Sequence, residues 1–93
     1  MNVYQRYLSH KQGTPTEVVF IECGAFFETF GNDAIFVAHM FDLPLTHRKL
    51  SENERVPIVG IVYHMFADCL KVLHDKSILT NIVYTSNVCL PYN

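Results

Sequence analysis

A chain of 93 residues with a formal net charge of −2 has room for one small domain, residues 1–93, and lacks the basic surplus of a domain that grips nucleic acid by charge alone. Its 49% hydrophobic and 13% aromatic content supports a ring-rich core and argues against intrinsic disorder. No apolar run reaches the ~20 residues that cross a bilayer, and the opening MNVYQRYLSH lacks the apolar stretch of a secretory leader, so a cytoplasmic location without membrane contact is expected.

Residues 2–12 read as an amphipathic helix, with Tyr4, Tyr7, Leu8 and the stem of Lys11 on one stripe. Asn2 and Gln5 have the spacing of a capping box. Gly13 and Pro15 end the helix. EVVFIEC, residues 17–23, reads as a strand whose continuous apolar run implies cover on both faces. Gly24 permits a sharp turn into an extended piece at 26–30. Gly31 breaks that piece, and Asn32 is placed to cap a helix over 33–42.

That helix, DAIFVAHMFD, is apolar nearly all round, which predicts burial on more than one side and makes His39 a core residue. Pro44 stops it. LPLTHRK, 43–49, reads as a short strand with a basic end, followed by a polar loop, LSENER. VPIVGIV, 56–62, reads as a strand that Pro57 and Gly60 mark as an edge or a bulge. Residues 63–76 form the clearest helix, with Phe66, Leu70 and Leu73 inward and Asp68, Lys71, Asp75 and Lys76 wet. LTNIVYT, 79–85, is a last strand, and the tail VCLPYN is ambiguous. The expected fold is α+β, a mixed sheet flanked by about three helices.

Within GAFFETF, residues 24–30, strand alternation puts Phe26, Glu28 and Phe30 on one face and Phe27 and Thr29 on the other. Phe27 is the natural core residue, which leaves Phe26 and Glu28 as an outward pair. Such a pair is an ordinary solvent edge or a working site. An exposed Phe forgoes roughly 1.5–3 kcal/mol of burial. One use that would justify the loss is insertion between stacked bases from the minor groove. A mispaired step is already poorly stacked and opens at lower cost. A carboxylate beside such a wedge is repelled by phosphates and makes sense only against a base edge.

The order of these segments resembles the N-terminal mismatch-recognition domain of the MutS family of DNA mismatch-repair proteins. YQRYLSHKQ resembles the family's opening helix, and CGAFFETFGNDA resembles its Gly-Asp-Phe-Tyr-Glu-Leu-Phe segment. LPLTHRK resembles a strand ending Leu-Thr-Lys-Arg. VPIVGIVYHMFADCLKVL resembles Ile-Pro-Met-Ala-Gly-Ile-Pro-Tyr-His and the helix after it. The likeness runs over about residues 3–85.

The resemblance implies a non-catalytic module that reads mispaired or distorted double-stranded DNA from the minor groove. Phe26 would be the stacking wedge and Glu28 the acceptor for the mispaired base. Pro57 and Ile58 would form the hairpin tip in the minor groove, and Arg48 and Lys49 the basic strand end near the backbone. Location would then be nucleoid-associated when DNA is bound. Ala25 stands where the family has Asp, Cys23 where it has Met, His47 where it has Lys, and Val62 where it has Pro. No G-x-x-x-x-G-K-[ST] occurs, so tight binding would call on a clamp or ATPase-bearing partner chain. The chain reads equally as a stand-alone relative or an excised domain.

Other chemistries fit less well, and no cofactor or metal is expected. The five histidines include no pair at metal-finger spacing, and Cys69 with His74 is a weak match. Cys23, Cys69 and Cys89 lack close spacing and read as reduced thiols, none oriented toward a histidine base. Glu17, Glu22, Glu28 and Asp33 could serve a two-metal nuclease, but no signature lysine follows them. The serious rival is a protein-interaction or degenerate module without independent DNA binding, in which Phe26 is an interface anchor.

Overall fold

The computed structural model describes residues 2–85; the tail at 88–93, with Cys89, lies outside them. Asn2 accepts from the Gln5 backbone at 2.8 Å, and the Gln5 side chain accepts from the Asn2 backbone at 3.0 Å. This capping box starts α1 (Val3–Gly13). The chain then runs β1 (Val18–Cys23), β2 (Phe26–Phe30), α2 (Gly31–Phe41), β3 (Thr46–Lys49), β4 (Arg55–Val62), α3 (Tyr63–Asp75) and β5 (Thr80–Val83). The strands form one mixed sheet in the order β3-β4-β2-β1-β5, with β1 and β5 parallel and the other pairs antiparallel. The fold is the α+β arrangement of three helices and a mixed sheet that the sequence implies.

Each face of the sheet has its own core. Val18, Phe20, Phe27, Val59 and Ile61 pack with Ala34, Val37 and Ala38 of α2 and Phe66, Cys69 and Leu73 of α3. Val19, Ile21, Phe30, Val56, Ile58 and Val83 pack with Tyr7 of α1. The unbroken apolar run of β1 follows from this double cover, since Val18 and Phe20 face one layer and Val19 and Ile21 the other.

Several local expectations are corrected. β4 lies between β3 and β2, so VPIVGIV is an internal strand and not an edge. Its ladder with β2 ends at Ile58, so Pro57 lies beyond it and opposes only His47 of β3. A proline is tolerated there because it interrupts no register with the central strand. α2 begins at Gly31 with Phe30 in the cap position, ahead of the expected Asn32 cap. It is not buried all round: Ile35, Phe36 and His39 are exposed, because only one side meets the sheet. His39 is therefore a surface residue. Leu8 also turns outward from the α1 stripe. The strands expected at 43–49 and 79–85 shorten to Thr46–Lys49 and Thr80–Val83.

Candidate nucleic-acid interface

The two helical layers do not cover the sheet equally. α1 lies over one half of its face and leaves the other half open. On that open half is a groove of about 550 Å³ lined by Phe26, Glu28, Pro44, Thr46, His47, Arg48, Ile58 and Gly60.

Phe26 reaches this face through the β1–β2 turn. Gly24 turns the chain at φ +61°, a conformation that suits glycine. The carbonyl of Ala25 accepts from the Tyr63 backbone N–H at 2.8 Å, which ties the turn to the start of α3. Phe26 opens β2 and is 43% exposed, whereas Phe27 is 2% exposed and stacks on Phe66 at 3.8 Å between centroids. The alternation read from the sequence holds at these two rings. It fails to anticipate Phe30, which shares the Phe26 face but is fully buried beneath Tyr4 and Tyr7.

Glu28 stands opposite Gly60 of β4. A Cβ at Gly60 would lie 3.3 Å from Cδ1 of Phe26, so the glycine gives that ring room to lie against the sheet. Glu28 is mostly shielded. Its Oε1 is buried without a hydrogen bond among the described residues and lies 3.6 Å from Nη2 of Arg48. Arg48 comes from β3, across the intervening β4, and its guanidinium sits 5.5 Å from the Phe30 ring centroid. Cys23 lies beside the same carboxylate; burial first, then the charge and hydrogen bonding of Glu28, push its thiol pKa up.

Phe26, Glu28, Arg48 and Ile58 are therefore brought together, and Ile58, nearly buried, forms part of the groove floor. Pro57 and Lys49 are not. They are the register neighbours of Ile58 and Arg48 and so face the opposite side. Pro57 and Ile58 lie within β4 and not at a hairpin tip, since the β3–β4 connection is residues 50–54. Lys49 pairs instead with the exposed Glu52 at 3.6 Å. Sequence reasoning missed the roles of Gly60 and Cys23. An antiparallel register between GAFFETF and VPIVGIV would have set the glycine against Glu28.

The carboxylates weighed as a nuclease site are dispersed. Glu22 is buried on the far face and accepts from the Tyr63 hydroxyl at 3.2 Å and the Thr85 backbone at 3.1 Å. Asp33 is held by Tyr7 and Lys11. Cys69 is buried, while His74 is exposed and bonds Thr80 at 3.1 Å. Among the described residues no cluster of three or more His, Cys, Asp or Glu could hold a metal, and no helix is long and apolar enough to cross a membrane.

Comparison with known proteins agrees with the arrangement of segments. Residues 2–83 match the family described as MutS domain I. The DNA mismatch repair protein MutS of Dehalococcoides mccartyi strain BAV1 is 36% identical over 72 residues, which is 77% of this chain and 8% of that protein. The Bacillus cereus and Bacillus thuringiensis MutS proteins are each 33% identical over 72 residues, with the same 77% and 8% coverage. The chain thus spans less than a tenth of the length of these relatives. With its segments, sheet and helices in this order, the chain belongs to the MutS domain I family.

Proposed function

We propose that this chain is a non-catalytic module that reads mispaired or distorted double-stranded DNA from the minor groove. The observation that carries the reading is the Phe26 ring, 43% exposed on the open half of the sheet beside Glu28. Phe26 enters a weakly stacked step, and the Glu28 carboxylate accepts from the exposed base. Ile58 lines the groove floor, while Lys49, which faces the other side of the sheet and pairs with the exposed Glu52, adds to the positive charge only at long range. Arg48 supplies the positive charge on the groove side.

With so few cations near the groove, the isolated chain binds in the micromolar range or more weakly. Tight binding then draws on a clamp from another chain or domain. Titration of matched and single-mismatch duplexes at low salt tests the reading. Wild type should prefer the mismatch, Phe26→Ala should abolish the preference, and Glu28→Ala should strengthen binding to matched duplex. Indifference of the wild type to the mismatch would reject it.

A second reading has its own observation. Ile35 and Phe36 on α2 and Met65 and Val72 on α3 are exposed on the helical layers, as a protein-interaction module would have them. It differs in predicting negligible binding to both duplexes for every variant.

A further inference from the structure

We propose that Arg48 is the positioning and charge-balancing partner of Glu28, and that the two work as one unit in choosing between duplexes. Arg48 is then not an independent phosphate contact. This inference rests on the mismatch-reading proposal above.

The geometry is specific to the pair. Glu28 lies on β2 and Arg48 on β3, with β4 between them. A contact across an intervening strand needs a long side chain, which Arg48 provides. Gly60, the register partner of Glu28, adds no side chain of its own beside the carboxylate, and the Phe26 ring lies over it, 3.3 Å from where a Cβ would stand. The Phe30 ring, locked beneath Tyr4 and Tyr7, has the guanidinium over it at 5.5 Å from the centroid. Nη2 ends 3.6 Å from Oε1 of Glu28, the oxygen that has no hydrogen bond among the described residues.

The charge arrangement follows. Glu28 alone would place a negative charge in a groove that must accept DNA phosphates nearby. Paired with Arg48, the two side chains present no net charge there. Arg48 also draws one carboxylate oxygen toward β3, which limits the orientations in which Glu28 can meet a base edge. A phosphate arriving at Arg48 would have to displace Glu28 from the guanidinium. An arginine held over a ring, 5.5 Å from its centroid, and against a carboxylate is not replaceable by lysine, whose compact ammonium stacks poorly and lacks the planar fork.

A double-mutant cycle tests this with the full 93-residue chain. Wild type, Arg48→Gln, Glu28→Gln, the double variant and Arg48→Lys are titrated with matched and single-mismatch duplexes over a range of salt. The ratio of mismatch to matched affinity should fall about equally in the two single variants, and the double variant should fall no further. Arg48→Lys should keep the wild-type salt dependence but not restore the ratio.

Independent, multiplying losses would overturn the inference. So would a salt slope lower by about one in Arg48→Gln with recovery of the ratio in Arg48→Lys, as a simple phosphate contact requires. A wild type without mismatch preference overturns the site reading itself and this inference with it. A wild type with preference but additive variants overturns this inference alone. Urea midpoints show whether each variant is folded; should Arg48→Gln not fold, Arg48→Lys carries the same decision.

Discussion

Phe26 and Phe30 belong to one strand and point to one face, four residues apart, yet one is 43% exposed and the other 0%. The difference lies in what stands above them. Over Phe30, α1 brings Tyr4 and Tyr7 within 5.2 and 5.3 Å between centroids. Over Phe26 the face stays open. α1 is kept in place by Asp33, which accepts from the Tyr7 hydroxyl at 2.7 Å, the Lys11 ammonium at 3.1 Å and the Val19 backbone at 3.2 Å. That single carboxylate joins α1, β1 and α2. The half of the face beneath the helix is built for stability, and the half beyond it is free for contact. The strand is the same in both, so the division is made by the helix.

The sharpest way to break this comparison is to remove each ring in turn. Phe30→Ala empties a buried site and should cost about 3–5 kcal/mol of unfolding free energy. Phe26→Ala should cost less than about 1 kcal/mol while removing the proposed mismatch preference. Urea denaturation of both variants, alongside the duplex titrations, checks the pair. Equal losses of stability would mean that Phe26 is part of the core, and the open half would lose its distinct role.

Next in size is Asp33. Asp33→Ala leaves the Tyr7 hydroxyl, the Lys11 ammonium and the Val19 N–H without their shared acceptor, which should cost about 2–4 kcal/mol. Because α1 is what divides the face, the same variant should expose the Phe30 side. Hydrogen exchange at Val19 and along α1 should quicken more than exchange in α3. A uniform rise across the chain would show that Asp33 supports the whole fold and not the cover of one half.

How much of this was readable from the chain alone depended on the range of the interaction. The β1 run Val18–Ile21, the capping box at Asn2 and Gln5 and the inward Phe27 rest on local period and spacing, and each is found. Strand alternation puts Phe30 on the same face as Phe26, but its burial depends on Tyr7 of α1, 23 residues earlier in sequence. Pro57 suggested an edge because local chemistry cannot say which strands flank β4 or where β2 stops. Ile35, Phe36 and His39 suggested burial because an apolar helix does not say how many layers will cover it. Phe26 and Glu28 were legible as a pair, whereas Glu28 with Arg48 was not. Their contact crosses a strand that neither belongs to.

A smaller effect should come from Gly60. Its added Cβ would meet Phe26 Cδ1 at 3.3 Å, and the ring, being exposed, can swing away. Gly60→Ala should therefore shift stability by less than about 1 kcal/mol, since a strand alanine also recovers backbone entropy. The readout that matters is Phe26 itself. Its ring proton shifts should change while those of Phe30 do not, and the proposed mismatch preference should weaken. Unchanged Phe26 shifts would mean that the glycine does not set the ring's position.

Alkali should distinguish the halves with the smallest effect. Tyr7, in the covered half, has its hydroxyl pKa driven upward, by burial first and then by the hydrogen bond to Asp33. Cys23, in the open half, has its thiol raised by burial and then by Glu28. Both groups are neutral when protonated, and folding favours that form. Their contributions are fully present below the unfolded values, about 8.5 for a thiol and about 10 for a phenol. They are lost as pH rises from those values through the folded ones. The thiol range is reached first, so stability should begin to fall there while α1 remains docked. Cys69, also raised by burial, adds to the same limb. Cys23→Ala should flatten the decline measured by urea denaturation between neutral pH and about pH 10, but only by its own share. A decline left unchanged by Cys23→Ala would place the alkaline sensitivity in Cys69 and the helical layer, and the open half would then carry no titrating group of consequence in that range.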